Sequence, residues 1–138
     1  MTNLPYLLIL ASRKMRNRLD HALQEFDLTA AQFSVVSQIR LAEQPVTAAE
    51  IAQRLESDRP TISGIISRLE KKGLVEKHDH PVDRRSAYLQ VSADAVELVD
   101  RIMARSEELT SDIFSIYSKA EREQLEHLMM RLLERIGE

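Results

Sequence analysis

The sequence predicts a mainly α chain with one small β-hairpin. Three observations carry that expectation. Breakers are few, with three Gly and four Pro in 138 residues, which favours long helices with short joints. The chain is 43 % hydrophobic but only 4 % aromatic, and it lacks Trp. Its core is therefore built from Leu, Ile, Val, Ala and Met, side chains suited to packed helices. Two short runs, 75–77 and 86–91, have extended character, and the second alternates apolar with polar residues in the manner of a half-buried strand.

The elements follow from start and stop signals. Leu4, Leu8, Ala11, Met15, Leu19, Ala22 and Phe26 recur at steps of three or four, an apolar stripe that predicts a long first helix over about 4–26. Thr29-Ala-Ala-Gln32 reads as a capping box and opens a helix to about Leu41, with Phe33, Val36 and Ile39 inward. Pro45 breaks the pattern, and Thr47-Ala-Ala-Glu50 reads as a second box opening a short helix to about Leu55. Ser57 and Asp58 are both good N-caps, and Pro60 suits the first turn of a fourth helix running to Lys72. Gly73 falls where a left-handed residue ends such a helix, with Leu74 folding back. The two extended runs flank His78-Asp-His-Pro-Val-Asp-Arg84, a polar turn-rich segment. Ser92 is expected to cap a long helix to about Tyr117, striped with Ala95, Leu98, Val99, Ile102, Leu109, Ile113 and Ile116. Ser118-Lys-Ala-Glu121 reads as a third box, opening a last helix with Leu125, Leu128, Met129, Leu132 and Ile136 on one face.

A helix pair with a tight turn followed by a β-hairpin is the winged helix-turn-helix arrangement. The expectation is a single domain over 1–138, with a winged-helix part at 28–92 flanked by long dimerisation helices at 1–27 and 93–138. The flanking stripes exceed what the winged helix alone covers, so a homodimer is expected.

The formal net charge of −3 argues against a protein that coats nucleic acid by bulk charge, but its distribution is uneven. Residues 1–58 carry six basic and seven acidic groups, 59–91 carry seven and four, and 92–138 carry six and eleven. The positive excess is confined to the fourth helix and the hairpin. The chain has no Cys, which excludes disulfides and thiol chemistry. The longest apolar stretch near the N-terminus, Tyr6 to Ala11, is too short to span a bilayer and lacks the form of a signal peptide, so a cytoplasmic location is expected.

The fourth helix, 58–72, turns Ile62, Ile65, Ile66 and Leu69 inward. Arg59, Pro60, Thr61, Ser63, Gly64, Ser67, Arg68 and Lys71 lie on or around its other side. A small polar face lets a helix approach the major groove closely, hydroxyls bond base edges or phosphates, and cations neutralise phosphates. An ordinary amphipathic surface helix has the same pattern, so the hairpin carries more of the argument. Asp83-Arg84-Arg85-Ser86 places two guanidinium groups at a hairpin tip, a shape that reaches a narrow, electronegative minor groove. Asp83 is positioned to pair with Arg85 and support it. Thr47, at the head of the third helix, completes the candidate DNA contacts. His78 and His80 have spacing that would bind a metal only with a converging third ligand. Solvated loop histidines are the preferred reading, and no metal is expected. His21 and His127 are isolated on helices.

The chain resembles the multiple antibiotic resistance regulator (MarR) family of winged-helix transcription factors. The resemblance rests on Leu28-Thr-Ala-Ala-Gln-Phe33, Thr47-Ala-Ala-Glu-Ile-Ala52, Ser67-Arg-Leu-Glu-Lys-Lys-Gly-Leu-Val75, Asp83-Arg-Arg-Ser86 and Leu89-Gln-Val-Ser92, and covers essentially the whole chain. It implies a homodimeric regulator of DNA, usually a repressor that binds a pseudo-palindromic operator and releases it on binding a small ligand. No cofactor is implied; an effector would be small and aromatic or lipophilic. By position Pro60 and Thr61 match the start of the base-reading helix, Arg85 the wing arginine, and Asp83 its support. Gly64 departs from the pattern, since several relatives carry a larger polar or basic side chain there. The absence of Cys sets the chain outside the cysteine-oxidation branch.

Two other classes compete. A hydrolase would need a motif such as a Gly-rich phosphate loop, a Gly-x-Ser-x-Gly elbow or a His-Glu-x-x-His pair, and none is present. A helical protein-interaction module is the stronger rival, but a bundle has no use for paired arginines on a hairpin.

Overall fold

The computed structural model describes residues 3–137. Six helices and a two-stranded hairpin follow in the order α1 (Leu4–Leu23), α2 (Ala30–Leu41), α3 (Ala48–Arg54), α4 (Arg59–Lys71), β1 (Val75–Asp79), β2 (Ala87–Val91), α5 (Val96–Phe114) and α6 (Lys119–Gly137). By compactness these fall into two units that divide after Ser106, inside α5.

The first unit contains one apolar core. Val35, Val36 and Ile39 of α2, Ile51 of α3, and Ile62, Ile65, Ile66 and Leu69 of α4 are buried together with Leu74, Val75 and Leu89 of the hairpin region. Leu23 from α1 and Ala95, Val99 and Ile102 enter the same cluster. The core thus extends on both sides of 28–92. The apolar stripe of the first helix is split by packing. Leu19, Ala22 and Phe26 are partly buried, whereas Leu4, Leu8, Ala11 and Met15 remain exposed.

Local chemistry sets the joints. The first helix stops at Leu23, three residues short of expectation. Residues Gln24–Phe26 tighten into a 3-10 turn, and Asp27 takes a left-handed φ of 56°. Asp is among the few residues that tolerate that conformation. Lys72 holds the junction, donating to both the carbonyl and the carboxylate of Asp27. The box at the head of α2 forms: Thr29 Oγ1 accepts from the Gln32 N–H and Gln32 Oε1 accepts from the Thr29 N–H, both at 3.1 Å. The box expected on α3 is only half made. Thr47 Oγ1 accepts from the Glu50 N–H at 3.2 Å, but the Glu50 carboxylate meets the Thr47 hydroxyl rather than its backbone.

Asp58, not Ser57, caps α4. Gly73 follows at φ 76°; its N–H donates to Glu70 O and that of Leu74 to Leu69 O, the paired bonds of a Schellman ending. The hairpin is longer than expected on its first side, because His78 and Asp79 pair with Tyr88 and Ala87 in an antiparallel register that starts at Val75 opposite Val91. A further short segment joins it: the Leu89 N–H donates to Val46 O at 2.8 Å, so Val46 bridges onto β2.

Ser92 does not cap a long helix. Its side chain makes no cap bond; the chain passes through a 3-10 turn at Ala93–Ala95 before α5 begins. Ser92 is buried and its N–H donates to Leu74 O, which ties the exit of β2 to the entry of β1.

The second unit is the end of α5 and the whole of α6. The third box is complete, with the Glu121 carboxylate accepting from the Ser118 N–H at 2.9 Å and Ser118 Oγ accepting from the Glu121 N–H at 3.2 Å. On the expected apolar face of α6, Leu125, Leu128 and Ile136 are exposed while Met129 and Leu132 are half-buried; Met130 and Leu133 are exposed as well.

Candidate nucleic-acid interface

Every residue of α4 proposed from the sequence as an outward contact lies outward. Arg59, Pro60, Thr61, Ser63, Gly64, Ser67, Arg68 and Lys71 are exposed, while Ile62, Ile65, Ile66 and Leu69 form the buried face. The head of the helix is fixed by Asp58. Its Oδ1 accepts from the Thr61 N–H at 2.8 Å and its Oδ2 from the Thr61 hydroxyl at 2.9 Å. The backbone bond first, and the hydroxyl bond second, hold the Asp58 carboxyl below the usual carboxylate range. Thr61 therefore commits its hydroxyl hydrogen to Asp58 and presents lone pairs outward. Gly64 opens a notch in this face, since a Cβ built there meets nothing within 4 Å.

The turn between the strands is organised by Asp83. Its Oδ1 accepts from the Arg85 N–H at 2.9 Å, and its Oδ2 lies 3.5 Å from the Ser86 hydroxyl. The expected side-chain pair also exists, with Arg85 Nε 3.6 Å from Asp83 Oδ1. The Arg85 side chain is 94 % exposed, so that pair is a weak one. Asp83 acts on the wing mainly through the backbone.

Helix and hairpin share one groove of about 340 Å³. Arg59 and Ser63 of α4, Lys77 and Asp79 of β1, and Arg84, Arg85 and Ser86 of the turn line it. The cations divide by task. Lys72 pairs with Asp27 at 3.0 Å and Lys77 with Glu70 at 3.3 Å, bonds that fasten α4 to its neighbours. Among the described residues Arg59, Arg68, Lys71 and Arg84 have no ion-pair partner. The charge left unneutralised is thus on the outer side of α4 and at the hairpin tip.

One candidate falls elsewhere. Thr47 lines the groove but is only 9 % exposed, and its hydroxyl is spent on the cap of α3. It shapes the wall rather than offering a side chain. Two residues were missed. Asp58 stands at the tip of the exposed face, a position its capping role already marked in the sequence. His80 accepts two backbone N–H groups in the turn; a polar ring ahead of Pro-Val-Asp was the available signal. His78 pairs instead with Glu76 at 3.3 Å, and among the described residues no group of three or more His, Asp or Glu is gathered as a metal site.

Sequence and structure comparisons bear on this geometry. The MarR family model matches residues 26–86, from the end of the first helical segment to the hairpin tip. The matched segment holds the helix pair and the hairpin, and over it the chain is similar to the MarR family. The chain is 26 % identical over 128 residues to the multiple antibiotic resistance protein MarR of Salmonella typhimurium, covering 92 % of this chain and 88 % of that protein. It is also 26 % identical over 116 residues to the HTH-type transcriptional regulator PecS of Dickeya dadantii, covering 83 % and 70 %. Among solved structures it resembles a mutant E. coli MarR complexed with operator DNA, with a TM-score of 0.85, 26 % identity, and coverage of 94 % and 93 %. The fold is also that of S. aureus MepR in a DNA complex, with a TM-score of 0.90, 24 % identity, and coverage of 98 % and 99 %. Of these relatives PecS is named a transcriptional regulator, and the MarR and MepR structures hold DNA.

Proposed function

We propose that the chain regulates transcription as a homodimer that binds duplex DNA, with α4 in the major groove and the β1–β2 turn against the minor groove. The observation that carries this is the shared groove, in which Arg59 and Ser63 of one element and Arg84 and Arg85 of another open to the same space. Two families of side chains divide the work. Arg59, Arg68, Lys71 and Arg84 neutralise phosphates, which sets position and salt dependence. Thr61, Ser63 and Ser67 face base edges beside the notch at Gly64, and Arg85 enters the minor groove.

The homodimer is supported by the apolar residues that each chain leaves exposed, Leu4, Leu8 and Ile9 on α1 and Leu128, Leu133 and Ile136 on α6. A twofold partner covering them would present two α4 helices to a pseudo-palindromic site, about 34–36 Å apart for successive major grooves. Repression, relieved by a small aromatic or lipophilic effector, is the regulatory part of the proposal. A groove of about 590 Å³ in the second unit, lined by Phe114, Leu125 and Met129 together with Arg122 and Glu126, has the size and character of a small-molecule site. Among the described residues no helix is long and apolar enough to cross a membrane, in keeping with work in the cytoplasm.

The test is a binding titration with the DNA upstream of the chain's own coding region. Wild type shifts this DNA with steep salt dependence. Arg85→Ala binds about tenfold more weakly and lowers the salt slope by about one, with the dimer intact by sedimentation. An unchanged affinity removes the wing from the interface. No salt-sensitive binding by wild type removes the DNA reading.

A further inference from the structure

We propose that His80 is the positioning residue for the wing arginine: its imidazole builds the turn that aims Arg85. The inference rests on the DNA reading above and adds the group that orders the tip. His80 Nδ1 accepts from the Val82 N–H at 3.1 Å and from the Asp83 N–H at 2.9 Å. The ring itself is held from the opposite strand, packed at 33° against Tyr88 with centroids 4.5 Å apart. Asp83, held in this way, accepts from the Arg85 N–H and meets the Ser86 hydroxyl. A chain of contacts therefore runs from Tyr88 through His80 and Asp83 to the backbone of Arg85. The Arg85 side chain is 94 % exposed and has no packing of its own to orient it. Its direction comes from the turn.

The chemistry makes this arrangement conditional. Nδ1 accepts only in the neutral ring with its proton on Nε2. Protonation places a hydrogen on Nδ1, where it faces two donors, and the turn loses both bonds. The titratable and charged residues in contact with the ring are Tyr88 on β2 and, through its backbone N–H, Asp83; Asp79, Arg84 and Arg85 are its charged neighbours along the chain, and the Lys77 and Glu76 side chains of β1 pair with Glu70 and His78. A histidine that merely gains charge beside DNA strengthens binding in acid. A histidine that holds the wing together weakens it. His78 is an internal control, since it pairs with Glu76 and appears in no turn bond.

The experiment measures affinity of the full-length chain for the same upstream DNA by fluorescence anisotropy. It is run at about pH 8 and about pH 5.5, on either side of the imidazole range, at constant salt. Wild type should lose about fivefold or more in affinity on acidification, the worth of two net hydrogen bonds. His80→Asn carries its amide oxygen close to the place of Nδ1. It should bind like wild type at the higher pH and show no acid loss. His80→Gln, whose oxygen lies further out, should be weaker by a similar factor at both values. His78→Asn should follow wild type. A second reading needs no DNA: the Val82 and Asp83 amide proton shifts should move together between the two pH values and stay fixed in His80→Asn. Equal affinity of wild type, His80→Asn and His80→Gln overturns the proposal, as does acid weakening that survives in His80→Asn. Absence of salt-sensitive binding by wild type at the higher pH overturns the DNA reading instead.

Discussion

Gly64 separates stability from recognition. It lies inside α4, on the exposed face, and a Cβ there meets nothing within 4 Å. Gly64→Ala therefore adds helix propensity with no clash, a gain of about 0.8–1.0 kcal/mol. Unfolding entropy of about 2.1 cal/mol/K per residue, over 138 residues, converts this to a rise in Tm of about 3 °C. Gly64→Leu has nearly the same propensity, so its gain should be similar. DNA binding responds differently. A methyl group fills part of the notch, and a leucine projects from the face that meets the major groove. Overpacking a close interface costs about 1–3 kcal/mol, so Gly64→Leu should bind about five- to 150-fold more weakly, and Gly64→Ala should lie between it and wild type. The assays are thermal melting at fixed protomer concentration, because dimerisation makes Tm concentration-dependent, and anisotropy with the upstream DNA. A fall in Tm for Gly64→Ala would refute the exposed helical placement. A more stable Gly64→Leu that binds at wild-type strength would refute α4 as the reading helix.

Gly73→Ala should have the opposite sign to Gly64→Ala, although both add one methyl group into open space. At φ 76° the cost is backbone strain alone, about 1–2 kcal/mol by thermal or urea unfolding, and Gly73→Asn should recover part of it. Leu69→Ala removes a fully buried side chain where α4 meets the core and should cost about 2–5 kcal/mol in the same measurement. Acid should destabilise the fold through three carboxylates. Asp100 is lowered first by its hydrogen bond from Arg40, Asp58 by the Thr61 backbone and Glu121 by the Ser118 backbone. Each binds its proton less readily folded than unfolded, so its contribution is full above the ordinary carboxylate range and is lost as pH falls through the lowered values. Urea midpoints should hold between about pH 7 and about pH 5 and drop below about pH 4, less steeply in Asp100→Asn.

Much of the winged-helix part, and the head of α6, was legible because the signals are local. A cap, a box or a left-handed glycine acts within four residues, so Thr29, Asp58, Gly73 and Ser118 could be read from their neighbours alone. The outer face of α4 was legible for the same reason, since a period of 3.6 fixes which residues oppose the buried isoleucines. The misreadings share a different cause. Ser92 resembles a cap, but its backbone is needed by Leu74 and its side chain is buried. Thr47 resembles a surface hydroxyl, but Val46 beside it bridges to Leu89 and draws it inward. The first helix carries its apolar spacing through Phe26, but Lys72, 45 residues away, grips Asp27 at the bend.

The sequence by itself determined the order of elements, the buried faces of α2 and α4 and the region of positive excess, because these depend on spacing, caps and side-chain charge. It could not say which cations are spent. Lys72 and Lys77 count toward the basic surplus of 59–91 exactly as Arg59 and Arg84 do, and only tertiary packing brings Asp27 and Glu70 to neutralise the first two. The same holds for the turn that aims Arg85. Its geometry depends on a ring at His80 braced by Tyr88 across the hairpin, a contact set by strand register. The candidate interface is the part of the charged surface left free after the fold has taken the partners it needs.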